Sequence, residues 1–121
     1  NEIELESMSK NSLQLDSIDS VRANIESISL NKNQSIIVTL GSTGVFINHA
    51  NKQEFIEGHN VEAVDTTGSG DCFLGALASS LVKNENLFDA AAYANKAAAL
   101  SVTKKGASAS MPTHQDVLKF L

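Results

Sequence analysis

Asp71 follows Gly68-Ser69-Gly70 where a short apolar run ending at Val64 gives way to small, apolar helix formers. Glycines at 68 and 70 let the backbone turn sharply and expose consecutive N–H groups. A helix starting there adds free amides and the positive end of its dipole, which together favour an anion. Asp71 then sits where a carboxylate can take the proton of a hydroxyl held beside that anion. These parts suit phosphoryl transfer, which asks for a positioned nucleophile and stabilisation of spreading charge. The plain alternative is a helix cap, and on the tetrapeptide alone that reading weighs more. No Gly-Lys-Ser/Thr follows, which excludes a Walker-type loop. Glycines at 68, 70 and 75 miss the Gly-x-Gly-x-x-Gly spacing of dinucleotide folds.

Other reactive types carry less. Cys72 opens the same helix, which can activate a thiol, but a buried and inert Cys is the commoner case. His49, His59 and His114 have no metal-ligand spacing and read as loop or cap residues. Glu2, Glu4 and Glu6 alone describe a solvated helix start.

The elements that must position Asp71 follow from periodicity. Asn1 to Ser9 is a candidate helix start. Ile18, Val21, Ile25 and Ile28 recur at helical spacing, predicting a helix from about Ser17 to Leu30 capped by Asp16 or Ser17. Ser35 to Leu40 is continuous and β-branched, as in a strand covered on both faces of a parallel sheet. Val45-Phe46-Ile47 and Glu54-Phe55-Ile56 read as a hairpin, and Val61 to Val64 as one more strand. Helices are expected from Gly70 to about Lys83, from Leu87 to about Val102 with Gly106 as a stop, and from Pro112-Thr113 to Leu121. The order predicts an α/β layered fold, with one or two central strands of a larger sheet.

The 121 residues suggest one domain. A net charge of −5 lacks the basic footprint of a nucleic-acid binder. No apolar run is long enough to span a bilayer, and nothing at the start reads as a secretory leader. One cysteine allows no intrachain disulfide, so the expected compartment is the cytosol.

Asp65-Thr66-Thr67-Gly68-Ser69-Gly70-Asp71-Cys72-Phe73, continuing through Leu77, resembles the second signature of the ribokinase, or phosphofructokinase-B-type, family of sugar kinases. Asn1-Glu2-Ile3-Glu4 resembles the family's Asn-x-x-Glu motif, and Thr39 to Gly44 its nucleotide-binding strand end. Ala97 to Gly106 with Ser110-Met111-Pro112 resembles a carboxy-terminal segment of ribokinases. The motifs stand in family order and span essentially the whole chain. The departures are Cys72, where the family often has a small or hydroxyl residue, and length.

The resemblance implies a Rossmann-like, three-layer α/β/α fold, of which residues 1–121 form the carboxy-terminal, ATP-binding part. The amino-terminal sugar-binding part and lid would lie elsewhere. It implies transfer of the ATP γ-phosphoryl group to a sugar hydroxyl, with D-ribose favoured and fructose or a nucleoside as alternatives. An inactive nucleotide-binding fragment is also open. Asp71 resembles the catalytic base, and Gly68, Ser69 and Gly70 with it resemble the anion hole. Glu4, with Asn1, resembles the pair that organises magnesium through water. Thr39, Leu40, Gly41, Ser42, Thr43 and Gly44 would line ATP, and Asn95 the adenine side. Asp65, Thr67, Ser101, Lys104, Gly106 and Ser110 match loops that hold a monovalent cation, so potassium is the expected activator. Homodimerisation through the lid is left open for the longer protein.

Overall fold

The computed structural model describes residues 1–9, 17–28, 30–31, 33–83 and 85–120. They form two compact units, Asn1–Glu57 and Gly58–Leu121.

In the first unit, helices α1 (Glu2–Ser9) and α2 (Ile18–Ser27) precede strands β1 (Ile36–Thr39), β2 (Gly44–His49) and β3 (Lys52–Glu57). Ser17 caps α2 by accepting the Ser20 N–H at 3.3 Å. The helix stops at Ser27, short of the expected end, because Ile28 turns extended and gives its N–H to the Ile25 carbonyl. Asp16, the other cap considered, and Leu121, the expected end of the last helix, lie outside the described residues. Leu5, Val21 and Ile25 pack with Val38 and Phe46 into one core. Each such side chain contributes about 1.5–3 kcal/mol by leaving water.

The sheet order is β1-β2-β3, and both pairings are antiparallel. Among the described residues the neighbour of β1 is therefore antiparallel, where a parallel one was expected. A parallel neighbour needs a crossover of a dozen or more residues, whereas β1 returns as β2 through a 3₁₀ turn at Gly41–Thr43. The expected hairpin is present. His49 pairs with Lys52 across Ala50 and Asn51, both at positive φ (51° and 63°), as a type I′ turn requires.

The second unit contains α3 (Ser69–Val82), α4 (Leu87–Ser101) and α5 (His114–Lys119), with a 3₁₀ turn at Ser108–Ser110. Asn86 caps α4, accepting the Asp89 N–H at 3.0 Å. Ala90, Ala91, Ala94 and Ala97 are buried along α4, and their small side chains let α3 pack closely on it. Cys72, Ala97 and Val117 join α3, α4 and α5 in one apolar cluster. Thr113 and Asp116 close a capping box at the start of α5.

Two expectations fail here. Val61 to Val64 is not a strand: Val64 is 61% exposed, and among the described residues no strand pairs with the segment. Its end is fixed instead by the Val102 carbonyl, which accepts the N–H groups of Val64 (2.7 Å) and Asp65 (3.1 Å). Gly106 does not stop α4, which ends at Ser101. Gly106 lies beyond it in the following loop, at φ +95°.

Candidate functional site

The Gly-Ser-Gly-Asp segment folds as its residue types require. Gly68 is the N-cap of α3 in the left-handed region, φ 78° and ψ 5°. The Ser69 N–H donates to the Thr66 carbonyl at 3.2 Å, and the Cys72 N–H to the Gly68 carbonyl at 2.9 Å. Between them, the Gly70 and Asp71 N–H groups find no acceptor among the described residues. Two free amides at the positive end of a 14-residue helix form a cradle for an anion. Asp71 lies in that first turn, exposed to solvent.

Asp71 also lines a cleft of about 280 Å³ with Gly75, Tyr93, Met111, Pro112 and His114. The Tyr93 hydroxyl and His114 Nδ1 are 2.7 Å apart on its wall. Sequence reasoning passed over Tyr93 and gave His114 only loop or cap duty. No sequence signal ties residues 21 positions apart on separate helices. A cleft of about 260 Å³ beside Leu100, Pro112 and Phe120 includes Lys104 but no other sequence-predicted site residue.

The loops read as a cation site meet at Asp65. Its carboxylate accepts the Thr67 N–H at 3.0 Å and the Gly106 N–H at 2.9 Å. The Gly106 bond, followed by bonds from Thr67, holds the Asp65 carboxyl below its ordinary value. Ser101 and Ser110 are buried, and their hydroxyls donate to the Ala98 and Ala107 carbonyls, each at 2.8 Å. Lys104 is exposed. Asp65, Thr67 and Gly106 thus share one hydrogen-bonded junction, while the two serine hydroxyls donate within their own local turns. Asn95 is buried in α4, 7% exposed.

Cys72 is buried, as expected. Burial pushes its thiol up, partly countered by a hydrogen bond with Ser101. His59 stands edge-on to Phe120. His49 ends β2, with Nδ1 2.6 Å from the Ser35 hydroxyl, so it is a strand residue rather than a loop one. Among the described residues no group of His, Cys, Asp and Glu could hold a metal by itself, and no helix is long and apolar enough to cross a membrane.

The remaining site residues belong to the first unit. Asn1 Oδ1 accepts the Glu4 N–H at 3.1 Å, so Asn1 caps α1. Glu4 is exposed in the first turn. Thr39 and Leu40 end β1. Gly41, Ser42 and Thr43 form the exposed turn, and Gly44 starts β2 at φ 128°.

The model of the pfkB family of carbohydrate kinases matches residues 1–114. The chain belongs to this family. It is 42% identical over 88 residues to the ribokinase of Haemophilus influenzae, covering 73% of this chain and 29% of that protein. Among solved structures, Arabidopsis thaliana ribokinase complexed with ribose and ATP superposes with a TM-score of 0.83 at 28% identity, over 99% of this chain and 38% of that one. A fructokinase double mutant from Vibrio cholerae, with fructose, ADP and a potassium ion bound, gives 0.80 at 29% identity, over 99% and 38%. The chain thus spans about a third of the length of these relatives, and its α/β architecture is that of part of the ribokinase fold.

Proposed function

We propose that this chain is the carboxy-terminal, ATP-binding part of a sugar kinase that transfers the γ-phosphoryl group of ATP to a sugar hydroxyl, D-ribose first. The observation that carries the reading is the start of α3, where Asp71 stands beside two N–H groups without an acceptor among the described residues. In this reading Asp71 takes the proton of the acceptor hydroxyl. The free amides of Gly70 and Asp71 face the oxygens of the transferred group, where charge spreads in the transition state. The Thr39–Gly44 turn lies along the nucleotide.

The exposed Glu4 carboxylate fits a magnesium ion held through water, and that ion would neutralise charge on the ATP phosphates. Asp65 fits a potassium site: its carboxylate stays ionised and ties together the two loops whose carbonyls would be the other ligands. The cytosol is the compartment that goes with this chemistry.

Ribose is favoured because ribokinases stand among the relatives of highest identity. Fructose is the competing acceptor, supported by the fructokinase neighbour. A second reading has the 121 residues acting alone as a nucleotide-binding module, since they span about a third of a kinase. ADP release separates these readings, measured with ribose, fructose and a nucleoside for the 121-residue chain and for a chain of kinase length. Ribose-dependent release by the longer chain only is expected. Preference for fructose overturns the substrate, and no sugar-dependent release by either chain overturns the kinase.

A further inference from the structure

α5 has six residues, too few to be stable as an isolated helix, and Val117 is its only buried one. Besides the packing of Val117, a side-chain bond ties it to α4, that between Tyr93 and His114, whose ring centroids lie 5.5 Å apart. The segment leading into α5 meets the start of α3. A Cβ at Gly68 would stand 3.2 Å from Ala107 Cβ and 3.7 Å from Met111 Cε. The residues that roof Gly68 are therefore carried on the stretch that α5 anchors.

We infer that Tyr93 and His114 are positioning residues: their hydrogen bond fixes α5 on α4 and so holds the Ala107–Met111 roof against Gly68, keeping the first-turn amides of α3 in place. The inference rests on the proposed anion-binding role of those amides but concerns residues that role does not use. The direction of the bond follows from chemistry. Burial, with Glu85 and Cys72 nearby, pushes the Tyr93 phenol above its ordinary value, so it keeps its proton at neutral pH and donates. Donation by Tyr93 requires that the His114 ring accept at Nδ1, which is the tautomer with the proton on Nε2.

The test uses the 15N-labelled 121-residue chain, Tyr93→Phe and His114→Gln, with inorganic phosphate as the probe. Tyr93→Phe removes one hydroxyl and keeps the ring. The amide signals of Gly68 to Asp71 should shift in the ligand-free variant, while those of β2 and β3 stay fixed. Phosphate affinity at these amides should fall about two- to tenfold, the range of one lost hydrogen bond. His114→Gln, which keeps Tyr93 and offers it an amide oxygen, should lose less than Tyr93→Phe, and the wild-type His114 15N shifts should report the Nε2–H tautomer. Unmoved Gly68 to Asp71 signals in Tyr93→Phe overturn the inference, with or without phosphate. Shifted signals in a chain that binds no phosphate support the positioning role and overturn the anion-site reading alone.

Discussion

The Asp65 carboxylate accepts the Gly106 N–H at 2.9 Å, bridging 41 positions of sequence. The same carboxylate takes the Thr67 N–H two residues on. One side chain therefore sets the turn that leads to Gly68 and ties it to the loop after α4. Its pKa lies below the ordinary 3.8, with Gly106 as the first cause. A lowered folded value means the stabilisation is fully present above 3.8 and is lost as pH falls through the lower, folded value. The melting temperature should drop across that acidic window. Asp65→Asn should lower it already at neutral pH, because the amide NH₂ cannot accept the second N–H, and should flatten the Asp65 part of the acid dependence. Thermal melts read by circular dichroism, from neutral pH down to pH 2, check both points.

Gly68 and Gly70 should respond differently to a methyl group. At Gly68 the positive φ and the contact with Ala107 both oppose a side chain. Gly68→Ala should cost about 1–2 kcal/mol from the backbone alone. At Gly70 a Cβ meets nothing within 4 Å. Gly70→Ala should leave stability nearly unchanged, so a loss of phosphate or nucleotide binding there would be functional. Urea unfolding of the two variants, beside phosphate titrations, gives the comparison.

Asp71→Asn keeps the shape of the α3 start and removes the proton acceptor. In a chain of kinase length, ADP release with ribose should fall by about 10²–10⁴-fold, the usual worth of a general base. Nucleotide affinity should change far less. Turnover within a factor of a few of wild type would remove Asp71 from the role of base.

Cys72 should resist alkylation. Its thiol is buried and pushed above the ordinary 9.0, so little thiolate is present at neutral pH. Iodoacetamide should label the folded chain much more slowly than the urea-unfolded chain, followed by intact mass.

Local chemistry made much of this legible in the sequence. The hairpin announced itself through Val45-Phe46-Ile47 and Glu54-Phe55-Ile56, and the last helix through Thr113 and Asp116, because those signals lie within a few residues of each other. The Gly-Ser-Gly-Asp start of α3 was readable for the same reason. The setting of β1 was not. A β-branched run such as Ile36 to Thr39 fits a parallel or an antiparallel neighbour equally well, and only the pairing with β2 decides. Val61 to Val64 misled in the opposite way: β-branched residues raise strand propensity but supply no partner to complete a ladder. The Tyr93–His114 bond had no local signal at all, since two separate helices bring it together.

The two-residue reversal at Ala50 and Asn51 also gives the chain a timetable. β2 and β3 can zip from that turn within microseconds of its forming, the pace of an isolated hairpin. The Asp65–Gly106 bond must wait until 41 residues have closed into a loop, including two helices that gain most of their stability by packing on each other. Substitutions at Asn51 should therefore slow refolding, while those at Gly106 should mainly speed unfolding.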